Sequence, residues 1–562
     1  MTVAVLAVAP VVLLTLFVGV RGVAAMRTTS DFLVASRQVS PLLNSAAVSG
    51  EYLSAASFLG IAGMMVKDGP GALWYPVGFT AGYVAMLVLV AAPMRRSGAL
   101  TVPDFAEARL SSTALRKLTA VVVLLIAVLY LVPQFRTAGL VLSAVSATPY
   151  WVGVVVAGVV ISVTLALGGM RAATYVQAVQ FCLKLLLFAV PAVWLTVHAG
   201  ADVRQQALRP VEFEHFEERT RVEFRIGVTF RITEPTRIHR PDGSDRVLQP
   251  GTHRVRAGRT LVFPAGEPVP HVGSGGRPGG ERWRLPLLDV ADAGHPLFGT
   301  WAVLIATMFG TMGLPHVVVR FHTTPDGAAA RRTAALTVGL LSVFYLFPGV
   351  YGALGRVLLP RLYLSGGTDT VVVALPARVD GGWVGTLFTV LLTGGAFAAF
   401  LATSLGLLLV LAGAVSHDLA PGGLGRLRGT ALLAAAVVIL LALFAAPLET
   451  NILVTWAFTL AAATFCPLLV LGIWWWRLTA AGAVSGVLVG LLGSSAGIVV
   501  TLFGPELRGW WAILLAQPAP WAVPLAFGTM VLVSLRSGAS SRSRSAMLRL
   551  HLDQRTTSES GR

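Results

Sequence analysis

Charged side chains are scarce in this chain of 562 residues: Asp, Glu, Lys and Arg make up only 12%, about half of what a soluble domain carries. With an apolar share of 55% and a mean hydropathy of +0.75, that scarcity excludes a soluble protein. Cysteine is nearly absent. Cys182 and Cys466 both lie in apolar runs, so neither a disulfide framework nor a thiolate metal site is indicated. Acidic residues are few as well, 26 against 43 basic ones, which leaves a net charge of +17. Nucleic acid is not the partner implied, because the basic residues are dispersed among apolar spans and form no patch on a soluble face. An integral membrane enzyme is disfavoured too: no acidic or metal-binding cluster marks a membrane surface, and the pair His417-Asp418 reads as a helix end.

What the chain has in abundance is long apolar runs. They lie near 2–22, 44–66, 74–94, 118–144, 150–168, 173–197, 298–319, 333–355, 384–415, 429–446, 451–474, 479–503 and 511–535. Runs of roughly twenty residues cross a hydrocarbon core about 30 Å thick. Thirteen spans describe a polytopic membrane protein embedded in the lipid bilayer. The first has no basic residue before it and meets Arg21 and Arg27 just after it, the reverse of a secretory signal, so it reads as an anchor with its N-terminus outside. The stretch Ala24 to Met26 mimics a cleavage site. With that orientation the inner loops and tail hold 21 Lys and Arg, while the short outer loops hold 5, namely Lys67, Arg356, Arg361, Arg378 and Arg508. This bias predicts a plasma-membrane protein with a cytoplasmic C-terminus.

Residues 201–297 stand apart, with 15 arginines and 13 acidic residues around short alternating stretches such as Thr229-Phe230-Arg231-Ile232. They predict a small β-rich hydrophilic insertion outside the membrane. It is either a lid or partner-binding module or a solvated insertion without a transport role. The tail, 536–562, reads as a disordered cytoplasmic segment that touches anionic lipid.

Two spans are interrupted. Gly50-Glu51 places a carboxylate well inside the second, within Ser45 to Gly60, and Gly310-Thr311-Met312-Gly313-Leu314-Pro315-His316 breaks the seventh. Backbone irregularity inside a membrane is tolerated only where it lines protein or a watery cavity. The breaks lie five spans apart, and an interrupted helix opening each five-helix half is the pointer to an inverted-repeat secondary transporter.

Through Thr28 to Arg37, Gly50 to Gly60, Gly168-Gly-Met-Arg-Ala-Ala-Thr174 to Gln177, Gly310 to Phe321 and Ser416-His417-Asp418-Leu419, the chain resembles the solute:sodium symporter family, in its cation/acetate branch of monocarboxylate symporters. The resemblance spans everything but the insertion and the tail. It implies an all-α fold of about thirteen membrane helices: an extra N-terminal helix (1–22), a leucine-transporter-like core of two inverted five-helix repeats (44–197 and 298–474) and two C-terminal helices (479–535). It implies a cation site where the carbonyls of Gly50 and Leu53 meet Ala399, Thr403 and Ser404. Ala402 stands where many sodium-coupled relatives place a hydroxyl, so sodium and proton both remain open as the coupling ion. Alternatively, Thr403 and Ser404 bond back to their own helix.

The expected substrate pocket comprises Glu51, Tyr52, Gln134, Arg136, Gly310, Gly313, Pro315 and His316. Two roles are open for Arg136: recognising a substrate carboxylate through its planar fork, or forming a structural pair with Glu51. His316 either donates to a carboxylate or shuttles a proton, or else caps freed carbonyls. Gln177 is the candidate for inner gating, and Lys184 is expected to snorkel toward the inner surface. The function expected is cation-coupled uptake of a small carboxylate such as acetate, pyruvate or propionate, with Na+ or H+ as the coupling ion, no catalytic residue and no other cofactor; the oligomeric state is open. The alternatives are a symporter of the same fold for proline, a sugar or a vitamin, and a membrane sensor or scaffold that uses the insertion.

Overall fold

The computed structural model describes residues 2–21, 28–146, 148–208, 215–216, 218–224, 228–239, 244–256, 258–272, 285–290, 294–365, 367–445, 450–504, 507, 509–538 and 541–552. The cleavage-like stretch Ala24 to Met26 and the last ten residues fall outside them.

The main helices are α1 (Thr2–Arg21), α2 (Pro41–Tyr52), α3 (Ile61–Asp68), α4 (Trp74–Leu89), α5 (Thr113–Ser146), α6 (Tyr150–His198) and α7 (Pro296–Gly313). They continue with α8 (Gly327–Phe344), α9 (Trp383–Gly413), α10 (Leu424–Phe444), α11 (Thr450–Trp474), α12 (Ala480–Phe503) and α13 (Ala519–Ser537). Ten helical stretches among the described residues are long and apolar enough to cross a membrane. Thirteen crossings result when α1 is counted, the stretch Ala56–Leu89 is divided at Gly69–Leu73, and α6 is divided at Gly169. That last division is physical. As one rod the 49 residues of α6 would be roughly 70 Å long, more than twice the hydrocarbon core. Gly169 turns the chain with φ 51° and ψ −149°, a left-handed conformation that suits glycine.

Both expected interruptions are present. Ser40 caps α2 by accepting from Leu43 N at 3.4 Å, Pro41 supplies a first-turn residue with no amide to satisfy, and the helix stops at Leu53 with ψ 75°. A π-helical turn, Ala56–Gly60, then leads into α3. In the second half α7 ends at Leu314 with ψ 115°, and Pro315 restarts a short helix, Pro315–Val318, followed by a 3-10 turn.

The packing follows the repeat. In the first half α2 lies along α6, and in the second α7 lies along α11. Across the halves α2 packs on α8 and α7 on α4, while α5 and α9 pack on each other. Each pairing maps onto its counterpart when the order of one half is carried onto the other, as an inverted five-plus-five core requires. The glycines of the second break set the α7–α11 distance: a Cβ on Gly310 would lie 2.5 Å from the Phe458 carbonyl oxygen, and one on Gly313 would lie 2.3 Å from that of Ala461.

The insertion begins with a short helix, Ala201–Leu208. Its strands are β1 (Thr220–Phe224), β2 (Val228–Ile232), β3 (Thr236–His239), β4 (Asp245–Leu248), β5 (Gly251–Val255), β6 (Arg259–Phe263) and β7 (His271–Val272). They form antiparallel sheets in the orders β1-β6-β3-β4 and β5-β2-β7. Val228, Phe230 and Ile232 alternate inward from β2, and the small core they join also takes Tyr363 and Leu364 from the segment before α9. The tail differs from the expectation of disorder over 541–551, which is a helix, Ser541–His551. It has something to dock on. Leu550 is buried, His551 Nε2 lies 2.9 Å from the Ile473 carbonyl, and Ser543 accepts from Arg109 at 2.8 Å.

Gly313→Ala is expected to lower stability by about 1–3 kcal/mol, because the new methyl meets backbone that cannot move aside. Gly339→Ala in α8, where nothing lies within 4 Å of the added Cβ, should cost nothing. The thermal unfolding midpoints of the two purified variants in detergent provide the comparison.

Candidate functional site

The two interruptions bring three groups of side chains together. The first surrounds the carbonyls bared where α2 stops. Gly50 allows α2 to lie directly on α6, since a Cβ there would sit 2.2 Å from the Gln177 carbonyl oxygen. From α6, Lys184 Nζ donates to the carbonyls of Gly50 and Leu53, the latter at 3.1 Å. Lys184 is fully buried. It does not snorkel, because the bared carbonyls lie nearer than any aqueous surface and satisfy its donors. Segment Ala399–Ser404 of α9 faces the same break: the Thr403 hydroxyl donates to the Glu51 carbonyl, while the buried Ser404 hydroxyl has no hydrogen-bond partner among the described residues. Ala399 is buried in the same helix.

The second group is an ion pair with its own retinue. Arg320 Nε donates to Glu51 Oε2 at 2.6 Å, both side chains being buried. The rest of the guanidinium donates to Thr174 Oγ1 at 2.9 Å and to Gln177 Oε1, and rests on Met170 Sδ at 3.0 Å. Gln177 in turn donates to the Ala402 carbonyl at 2.7 Å, tying α6 to α9. The pairing of Arg136 with Glu51 is therefore not formed. Arg136 lies 3.4 Å from Asp369, a residue of the segment between the insertion's docking point and α9. Arg320 reaches Glu51 because the second break turns the chain after Pro315 back toward α2, where Asn44 also donates to the Arg320 carbonyl at 3.0 Å.

The third group is a chamber of aromatic rings. Tyr52 stands edge-on to Phe79, Tyr83 and Phe458, with centroids at 5.6, 4.8 and 6.4 Å. Tyr130 lies 5.8 Å from Phe458. Hydroxyls line the chamber: Tyr52 shares a 2.7 Å hydrogen bond with Thr311, Tyr130 donates to Ser54 at 3.2 Å, and Tyr345 donates to Ser57 at 3.4 Å. Gln134 closes the break itself, accepting from the freed amide of Ala55 at 2.9 Å. His316, one residue past the Pro315 restart, stacks edge-on to Tyr130 at 5.4 Å. It is buried, and neither ring nitrogen has a hydrogen-bond partner among the described residues. A narrow crevice of about 10 Å³ beside the chamber, room for a single water, is lined by Ala56, Tyr75, Phe79, Thr307, Thr455 and Phe458 among others.

Of the expected pocket residues, Tyr52, Gln134 and His316 gather at the chamber. Glu51 faces away into the ion pair, Arg136 lies elsewhere, and Gly310 and Gly313 serve the contact with α11. Phe79, Tyr83, Tyr130, Phe458 and Arg320 were not singled out from the sequence. Arg320 carried one signal, since a carboxylate inside a membrane calls for a cation and an arginine follows the second break within five residues of Pro315.

Outside the membrane core, the face opposite the insertion is tied by further arginines. Arg116 contacts Glu107 at 2.7 Å and Asp418 at 3.1 Å, and Asp418 also accepts from Thr101 at 2.9 Å. Burial holds the Arg109 guanidinium down to about 10, and it donates to the Gly472 carbonyl at 2.7 Å.

Comparison with known proteins places this architecture. The profile of the sodium:solute symporter family matches residues 32–209 and 292–490, and leaves out most of the insertion. A Bacillus subtilis (strain 168) protein described as an uncharacterized symporter, YwcA, is 28% identical over 536 residues, covering 92% of this chain and 90% of that protein. Among solved structures, a Na+-coupled sialic acid symporter superposes with a TM-score of 0.68 at 13% identity, covering 96% of this chain and 98% of its own. MhsT in complex with L-phenylalanine superposes with a TM-score of 0.51 at 13% identity, covering 88% and 99%. These likenesses establish a leucine-transporter fold. The chain belongs to the sodium:solute symporter family and is built as one of its multi-pass secondary transporters.

Proposed function

We propose that this symporter imports small monocarboxylates such as acetate, pyruvate or propionate across the cell membrane, coupled to a cation, and has no enzymatic activity. The arginine-rich face lies in the cytoplasm and the β insertion outside, as the distribution of basic residues favours. The observation that carries the substrate reading is the chamber. Its aromatic walls suit a short apolar chain, and the hydroxyls of Tyr52, Tyr130 and Thr311 suit a carboxylate. Arg320 is committed to Glu51 and Arg136 lies against Asp369, so His316 takes up the anion, joined by the hydroxyls of Tyr52, Tyr130 and Thr311 when they exchange their present hydrogen bonds for the substrate. A neutral imidazole still offers one N–H donor, and the ring of His316 has no hydrogen-bond partner among the described residues. The Glu51–Arg320–Gln177 network, spanning α2, α6 and the restart after Pro315, forms the inner gate: these elements separate only when the pair opens.

Uptake of labelled acetate into proteoliposomes tests the substrate. Pyruvate and propionate should compete, whereas proline and glucose should not; competition by either of the last two would assign the chamber to another solute. His316→Ala should raise KM about tenfold or more, since a hydrogen bond to a charged group contributes about 1.5–3 kcal/mol.

For the gate, Arg320→Gln leaves a buried carboxylate unpaired and should lower stability by about 3–5 kcal/mol, whereas the double variant Glu51→Gln with Arg320→Gln should recover most of that loss. Thermal midpoints of the purified single and double variants decide this.

A further inference from the structure

Were the coupling ion sodium, the transporter reading would place it free at the first helix break, held by the Gly50 and Leu53 carbonyls with Ala399 and the hydroxyls of Thr403 and Ser404. The residues do not fit that ion. Both carbonyls already receive the Lys184 ammonium, and the Thr403 hydroxyl is turned onto the Glu51 carbonyl. Of the donor set, the Ser404 hydroxyl is the one side chain without a partner among the described residues. A sodium ion at the two carbonyls would meet a like charge at contact distance, with no water between them to screen it.

The side chain that stands there is suited to the place. The chain has only three lysines, Lys67, Lys117 and Lys184, against forty arginines. An ammonium is a compact point charge, while a guanidinium is a broad planar fork that suits paired oxygens on one group. The two carbonyls belong to residues three apart on a stopped helix, an arrangement for a small cation. The surrounding charges point the same way: with Glu51 and Arg320 ionised they cancel each other, and a protonated Lys184 then gives the buried cluster one positive unit.

We propose that the Lys184 ammonium is a tethered cation that takes the place of a free sodium ion at the helix break, and supplies from within the chain the positive charge that an incoming carboxylate neutralises. This rests on the transporter reading and deepens it. Sodium at this position is then not a requirement for uptake, and the site becomes available to a free ion only when the lysine is removed.

Two measurements on the full-length protein separate this from the substrate reading. The first is binding of radioactive sodium to purified protein in detergent, without substrate. Wild type should bind no more than background, and Lys184→Ala should bind sodium saturably. The second is labelled acetate uptake with external sodium replaced by choline. Wild-type uptake should change less than twofold, while Lys184→Ala should lose at least tenfold in choline and regain part of it in sodium. Wild-type uptake that falls tenfold or more without sodium, or sodium binding equal in wild type and Lys184→Ala, overturns the proposal. Should acetate enter in neither medium, the proposed substrate fails while the sodium-binding comparison still decides the role of Lys184. Should Lys184→Ala not fold, saturable sodium binding by wild type overturns the proposal, and its absence supports it.

Discussion

A peptide group laid bare inside a membrane must find a partner within the protein, and the break after Tyr52 is arranged around how its groups find theirs. The amide of Ala55 is taken by the Gln134 side chain, the carbonyl of Glu51 by the Thr403 hydroxyl, and the carbonyls of Gly50 and Leu53 by the Lys184 ammonium. These partners come from α5, α9 and α6, so one interrupted turn fastens three other helices. A uniform α-helix would have satisfied itself and held nothing.

The same reasoning explains why charge is concentrated here. A charged side chain at mid-membrane costs at least about 2.5–3.5 kcal/mol on insertion scales, and Glu51, Lys184 and Arg320 all sit within the helix bundle. Glu51 and Arg320 offset that cost as a hydrogen-bonded pair with Thr174 and Gln177 in support. Breaking such a pair by removing one partner is more damaging than never having built it. An arrangement of this kind is a poor way to gain stability and an effective way to hold two discrete positions, which is why it carries the proposed gate.

Much of this was legible beforehand. Glycine, proline and a carboxylate clustered inside apolar runs marked both breaks, and the structure has them at Leu53 and Leu314. The thirteen crossings followed from apolar length alone, because backbone in lipid has few alternatives to a helix. The side-chain partners were not legible, since each depends on which helix faces which. The partner of Glu51 lies 269 residues away and that of Arg136 lies 233 residues away. Periodicity along one helix carries no information about such distances. Lys184 shows the limit well: from sequence a lysine within a span is expected to snorkel, and only the position of α2 against α6 reveals nearer oxygens.

The aromatic chamber was missed for a related reason. Phe79, Tyr83, Tyr130 and Phe458 come from α4, α5 and α11, and each alone is an ordinary apolar residue of a membrane helix. They gather around Tyr52, the last residue of α2, whose ring edge faces three of them and whose hydroxyl bonds Thr311. Edge-to-face contacts of this kind fix ring orientation as well as burying area. Phe79 and Phe458 also pack on each other, with centroids 4.9 Å apart, so the rings close around Tyr52. The Thr311 contact of Tyr52 and the Lys184 contact of Leu53 begin one residue apart on the chain, so a movement of that turn changes both together.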